Sequence, residues 1–372
     1  LLLHKLSRVV EAMGSEPVKM AAKEHWMCQC RITHNYFIRS AGKHFSYTGD
    51  DAAFLQENRS ELRDLGASEE EVLTELRKQR QERLKAPEES LERVHRIQKE
   101  YQARHPEVYT LDLPYLHEGF RDLVIELQKP GAQVISGLKA KKILEEVRPG
   151  IWTFPVFTEA FCDQLEEELC HFLASGLPRT APNTMNRFGI IMSELGFCER
   201  LLDPLVYDYV NVVAARLLPA FCETLDSYRA FTVLYDSIAD GDKELALHYD
   251  NAEVTLNINI GGTWGGGNVV YYGLATNKDD GKSVEAKLRR GWGVFHAGLE
   301  LHKATPISNG RRHNLILWCR SSDVRNDLCP MCFQQPNVVP TNRYYHEGFS
   351  VPPCKPSMVQ TVAEISSDDL YD

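Results

Sequence analysis

Chemistry in this 372-residue chain points first to His248, Asp250 and His302, with Arg312 ten residues beyond the last of them. Two imidazoles and one carboxylate make the facial set that holds non-haem ferrous iron and leaves coordination positions open. The two-residue spacing predicts that His248 and Asp250 share one face of a strand, so that a single strand supplies two ligands. His302 must come from elsewhere in the fold. Arg312 opens a β-rich run over 312–319 with a fixed cation suited to an anionic co-substrate. An HxD pair alone also fits a surface strand, and it is the ordered set of pair, distal histidine and arginine that points to a metal.

These residues need strands to position them. Polar and apolar residues alternate over 255–260, the period of a strand with one polar face. Gly261-Gly262 and Gly265-Gly266-Gly267 bracket Trp264, which predicts a hairpin whose return strand is 268–272. A polar turn is expected at 277–281 and a further strand at 290–296. No helix-period segment falls between 230 and 320, so the pattern predicts a sandwich or jelly roll. Before it, 149–157 reads as a strand and turn, and 162–172 as an amphipathic helix with Leu165, Leu169 and Phe172 on one face. Asn183, Met185, Asn186 and the following 187–190 form a polar loop expected to border a substrate entrance.

Several words of the sequence resemble a known family, the Fe(II)- and 2-oxoglutarate-dependent dioxygenases, in the branch that holds prolyl and lysyl hydroxylases. They are His248-Tyr249-Asp250-Asn251-Ala252-Glu253-Val254-Thr255-Leu256-Asn257, Trp264-Gly265-Gly266-Gly267-Asn268, Gly291-Trp292-Gly293-Val294-Phe295-His296-Ala297-Gly298 and the stretch from His302-Lys303-Ala304-Thr305-Pro306 to Arg311-Arg312. The resemblance is strong over 228–322 and fainter upstream to Pro149. It implies an α+β protein with a double-stranded β-helix (jelly roll) core, packing helices and a helical N-terminal region. The implied divisions are an accessory region 1–140, largely helical from 60, an oxygenase domain 149–322 and a C-terminal tail 323–372.

The same resemblance implies that His248, Asp250 and His302 bind Fe(2+), and that 2-oxoglutarate and O2 are co-substrates, with L-ascorbate as reductant. The basic residue ten positions after the distal histidine, Arg312, would pair with the far carboxylate of 2-oxoglutarate through a bidentate fork; Arg311 is the weaker choice. His296 competes for the third ligand position, but His302 gives the family's spacing. Tyr235 and Asn257 match positions lining the co-substrate pocket, and Asn259 shares the parity of Asn257. His313 should face away from Arg312 and be structural. The products would be succinate, carbon dioxide and a hydroxylated substrate, and the carboxylate of Asp250 favours hydroxylation over halogenation. A protein lysine or proline is the first substrate class. A catalytically silent interaction module and an oxygenase of small molecules or lipids are the alternatives.

Composition is that of an ordinary globular chain, 43% hydrophobic with a net charge of −10, which gives no electrostatic reason to expect direct nucleic-acid binding. No apolar run has the length of a membrane span, and Leu1-Leu2-Leu3 is too soon broken for a signal-peptide core. The chain does not begin with Met, so a preceding stretch could carry a targeting signal. Ten scattered cysteines suit reduced thiols in a cytoplasmic or nuclear setting. Cys329-Pro330-Met331-Cys332 is the one CxxC, and with His346 and Cys354 it could hold zinc, although a closed zinc site usually joins two such pairs. The sequon at Asn58 is a frequent chance match.

Upstream, Ser68 and Glu71 form a capping-box start for a charged helix running toward Leu84. Pro87 is expected to break it. A second helix carrying Leu91, Val94, Ile97 and Tyr101 would end by Pro106. The pair is expected to form an accessory layer, with partner binding as the sharper reading. Trp26, Tyr36, Phe37 and Phe45 suggest that the first 55 residues are folded.

Overall fold

The computed structural model describes residues 25–131, 133–238, 241–278, 282–341 and 347–350. The strands run β1 (His25–Cys28), β2 (Tyr36–Ile38), β3 (Lys43–Phe45), β4 (Glu145–Arg148), β5 (Ile151–Pro155), β6 (Ser227–Asp236), β7 (Leu245–His248) and β8 (Val254–Gly261). They continue as β9 (Trp264–Gly266), β10 (Val269–Leu274), β11 (Asn277–Lys278), β12 (Val284–Ala286), β13 (Trp292–Ala297), β14 (Glu300–Ala304), β15 (Ile307–Arg320) and β16 (Val338–Thr341). Two antiparallel sheets make the core. One has the order β4-β5-β13-β8-β15-β6, with β9 joined to β15. The other has the order β11-β10-β14-β7, with β12 joined to β10. This is the expected jelly roll, and no helix interrupts it among the described residues between β6 and β15.

Side-chain parity divides each long strand between core and cavity. On β8, Val254, Leu256, Ile258 and Ile260 enter the main apolar core, where the helix Glu159–Ala174 lays down Phe161, Cys162, Leu165, Leu169 and Phe172. The Thr158 hydroxyl caps that helix by accepting from Phe161 N. The other parity of β8 carries Thr255, Asn257 and Asn259. The polar face inferred from the alternation therefore exists, but it faces the interior of the roll rather than solvent.

The predicted hairpin is a correction. Strand β8 pairs with β13 and β15, whereas β10 pairs with β11, β12 and β14, so the glycine-rich stretch carries the chain from one sheet to the other. Glycine clusters signal a sharp change of direction without saying which sheet receives the chain. The placement of the HxD pair is a second correction. Strand β7 ends at His248, and Asp250 lies in the turn beyond it, its N–H bonded to Gly298 O at 2.8 Å.

Pro87 does not divide the upstream helix, which runs unbroken over Glu69–Glu100. An interior proline costs about 3 kcal/mol, and contacts at both ends offset it. Val72, Leu73 and Leu76 pack in a small core with Tyr36, Phe45 and Phe54, while Ile97 reaches the main core. Between them, the buried Arg83 donates to the carbonyls of Arg31 and His34 at 3.0 and 2.6 Å. Past the helix, the fully buried Glu168 accepts from Tyr101 Oη and Tyr109 Oη, both at 2.8 Å, and from the N–H groups of Arg104 and His105. The expected C-terminal tail is, in its described part, a folded segment whose strand β16 pairs with β1. His346 and Cys354 lie outside the described residues.

Candidate functional site

His248 and His302 are direct cross-strand partners at the β7–β14 pair, with ring centroids 4.3 Å apart. The turn after β7 swings Asp250 across them, leaving Oδ1 3.6 Å from His248 Nε2 and Oδ2 3.9 Å from His302 Nε2. One ligand atom from each of the three lies within 4.8 Å of the others. Both histidines are oriented by backbone. His248 Nδ1 sits 2.8 Å from Ala246 O and His302 Nδ1 2.8 Å from Glu300 O. A carbonyl only accepts, so each Nδ1 carries a hydrogen and each Nε2 is turned toward the carboxylate. Thr255 Oγ1 donates to Asp250 Oδ2 at 2.7 Å and fixes the third group.

The electrostatics suit a cation. Burial pushes the Asp250 carboxyl upward, but His302, His248 and His296, together with the Thr255 hydroxyl, more than offset it and hold the group below its ordinary range. Burial, with His302 beside it, pushes His248 down to about 4 and keeps its ring neutral, as metal ligation requires. His296 is also buried and pushed down to about 3, chiefly by burial. Its Nδ1 bonds to Ala297 O at 2.8 Å, and its ring stands edge-on to His302 with centroids 5.0 Å apart. It lies behind the ligand set rather than within it. Tyr271 stacks on His302 with centroids 5.4 Å apart and also meets His296 edge-on at 5.0 Å.

Arg312 comes from the opposite sheet. It pairs across strands with Tyr235, its guanidinium 4.1 Å from the centre of that ring. It is 1% exposed, and Nη1 donates to Gly267 O. Gly267 has φ +67°, and a Cβ there would meet Ile307 Cγ2 at 2.2 Å and Arg312 Nη1 at 3.3 Å, so only glycine lets the backbone approach the guanidinium this closely. No carboxylate pairs with Arg312 among the described residues, and its Nε is buried without a hydrogen-bond partner. A desolvated cation left so is costly unless a ligand anion joins it. Arg311 points out, 65% exposed, and pairs with Asp236 at 2.5 Å. His313 is buried on the face opposite Arg312, and burial holds it near 4.

One cavity joins these groups, with His248, Asp250, His302, Tyr235, Asn257 and Arg312 all in its wall. Its volume is about 110 Å³, well above what a single water needs. Asn257 Oδ1 accepts from Asn314 Nδ2 at 2.6 Å. Asn259, which parity could not separate from Asn257, is fully buried and donates to His313 O and Asn314 Oδ1. The expected loop is present, as Asn183, Met185 and Asn186 line the same cavity.

The residues that sequence reasoning missed are Thr255, Asn314, Tyr271 and a group from the N-terminal region, Arg31, Asn35 and His44. Asn314 had a signal, because it shares the parity of Arg312 on one strand. The N-terminal group had none, since its place depends on long-range packing.

A family model described as the OGFOD2-like domain matches residues 97–223. A Xenopus tropicalis protein, 2-oxoglutarate and iron-dependent oxygenase domain-containing protein 2, is 38% identical over 329 residues, covering 86% of this chain and 92% of its own. Human procollagen-lysine,2-oxoglutarate 5-dioxygenase 1 is 29% identical over 186 residues, 47% of this chain and 24% of its own. A Pseudomonas putida prolyl-4-hydroxylase overlays 46% of this chain and 91% of its own with a TM-score of 0.35 at 17% identity. Fold, site and relatives together define an enzyme of the 2-oxoglutarate- and iron-dependent dioxygenase class. Within that class, the chain belongs to the family of 2-oxoglutarate and iron-dependent oxygenase domain-containing protein 2.

Proposed function

We propose that His248, Asp250 and His302 hold Fe(2+), that Arg312 binds the far carboxylate of 2-oxoglutarate, and that the enzyme hydroxylates a lysine or proline side chain of a polypeptide. The observation that carries this reading is the convergence on a single cavity of three oriented ligands and one buried guanidinium with no carboxylate partner among the described residues. The donor set fits the metal, because two imidazoles and a carboxylate are the ferrous facial arrangement. Iron so held supplies the oxidative decarboxylation of 2-oxoglutarate that drives hydroxylation.

The chain's own residues supply position. The carbonyls of Ala246 and Glu300 hold the imidazoles in one tautomer, and Thr255 holds the carboxylate. The Tyr235 ring supports the Arg312 guanidinium from one side while Gly267 O restrains it from another. Asn257 and Asn314 place polar atoms along the cavity wall. A polypeptide substrate is supported by hydrogen-bonding side chains in that wall, among them Asn35, Asn183, Asn186 and Asn251, which suit a backbone better than they suit a lipid. The partial likeness to a procollagen-lysine dioxygenase favours lysine. L-ascorbate is the proposed reductant, and the complete ligand set argues against a silent module.

The test is succinate formation from 2-oxoglutarate by anaerobically reconstituted protein on exposure to oxygen, with iron added or withheld and His302→Ala as control. Iron-dependent turnover lost in the variant is the expected result. Protein that binds neither iron nor 2-oxoglutarate would overturn the assignment.

A further inference from the structure

Cys28, Cys30, Cys329 and Cys332 come together on the far side of the cavity wall, their sulfurs all within 4.8 Å of one another. Cys28 ends β1, Cys30 follows two residues later, and the other two flank the Pro330-Met331 turn ahead of β16. The β1–β16 pairing, Cys28 opposite Val338, brings the two ends of the chain into register. Gln29 N–H donates to Asn337 O at 2.8 Å, and Cys329 N–H donates to Gln334 O at 2.9 Å, so backbone bonds shape both cysteine loops. Phe333, directly after Cys332, has φ 53° and turns the loop back toward the first pair.

We propose that these four thiolates bind one zinc ion in a closed structural site. Zinc–sulfur bonds of ~2.3 Å in a tetrahedron place sulfurs about 3.8 Å apart, and Cys30 Sγ lies 3.6 Å from Cys329 Sγ. Sulfurs this close surround a single ion; a multi-iron cluster would hold them further apart. Binding is a ligand exchange without redox change, in which each thiol gives up its proton as its sulfur joins the metal. Three of the four are buried, and the apolar company is thin, chiefly Phe349 with Trp26, Met331 and Val338 beside it. A two-stranded sheet is marginal by itself, so a metal is the staple this small cluster lacks. The second pair is thus the CxC at the other end of the chain, in place of the His346 and Cys354 considered from sequence.

The site also reaches the chemistry. Met331, between its two cysteines, and Arg31, next to Cys30, both line the catalytic cavity, and Asn35 Nδ2 donates to Met331 O at 2.8 Å. Zinc would therefore set one wall of the substrate entrance without touching the iron ligands.

The experiment is zinc X-ray absorption and metal analysis on the full wild-type chain, expressed with zinc present. About one zinc per chain with four sulfur neighbours at about 2.3 Å is the expected result. Zinc with nitrogen or oxygen neighbours, sulfur-ligated iron instead of zinc, or a Cys329–Cys332 disulfide would each overturn it. As a variant, Cys332→Ala alters the most exposed ligand and should lower zinc content at least tenfold, while Cys332→His should restore it; zinc retained in Cys332→Ala would also overturn the site. His248→Ala should leave the zinc signal unchanged, which keeps this result separate from the fate of the iron assignment.

Discussion

His248, Asp250 and His302 converge beside a cavity of about 110 Å³, whereas Cys28, Cys30, Cys329 and Cys332 converge on one another beside a much smaller one of about 40 Å³. The first group offers two ligands from one sheet of the roll and a third from the turn after β7, and shares its cavity with a cation from the other sheet. The second offers four soft ligands from the two ends of the chain, inside a thin apolar shell. Catalytic metal sites keep a position open and structural ones close it. The contrast teaches that ligand number and surrounding space separate the two uses more clearly than residue type alone. It also predicts that damage to the first group should cost turnover with little stability, and damage to the second should cost stability while leaving the iron ligands in place.

The largest expected effect is at the open site. His248→Ala or Asp250→Ala should abolish iron retention and lower succinate formation by more than ~100-fold, with a melting temperature close to that of the parent. A variant with normal turnover would remove the triad from the mechanism, and an unfolded one would erase the contrast. Next is Arg312→Ala, which removes a charge-assisted contact of about 1.5–3 kcal/mol and should raise the 2-oxoglutarate KM roughly 10- to 100-fold. Arg312→Lys should recover only part of that loss, because a point charge lacks the fork. Arg311→Ala should leave the KM unchanged, its side chain being 65% exposed and turned outward.

At the closed site, Cys28→Ser should leave iron binding intact and lower the melting temperature by several degrees, as loss of a few kcal/mol does in a chain of this size. Thermal melts alongside iron analysis would show it, and an unchanged melting temperature would deny the thiolates a structural role. The smallest of the expected losses should come from Tyr235→Leu. A cation–π contact is worth about 1–2 kcal/mol when desolvated, so the 2-oxoglutarate KM should rise about 5- to 30-fold. Tyr235→Phe, which keeps the ring face, should lie near the parent in the same titration and so distinguish ring from hydroxyl.

The open site was legible in the sequence because its ligands obey local rules. A spacing of two and a downstream arginine are short-range facts, and the parity of β15 carries Arg312, Asn314 and Ile316 to the cavity together. Local rules failed where three-dimensional packing decided the outcome. Pro87 stays in a helix because both flanks are anchored, and the glycines at 265–267 change sheets rather than turn a hairpin. The closed site was half legible: its CxxC stood out, but its partner pair lies at the opposite end of the chain. Arg31 and Asn35 were hidden for the same reason.

That separation has a consequence in time. Cys30 and Cys329 are 299 residues apart, and ribosomes add about 5–20 residues per second. Strand β1 must therefore wait roughly 15–60 s, estimated from that rate, before its partner strand exists. Until then Cys28 and Cys30 lack the Cys329 and Cys332 sulfurs that surround them in the folded chain. Pairing β1 with β16 is consequently a late event in the birth of the molecule, and the cavity wall carrying Arg31 and Met331 is completed only with it.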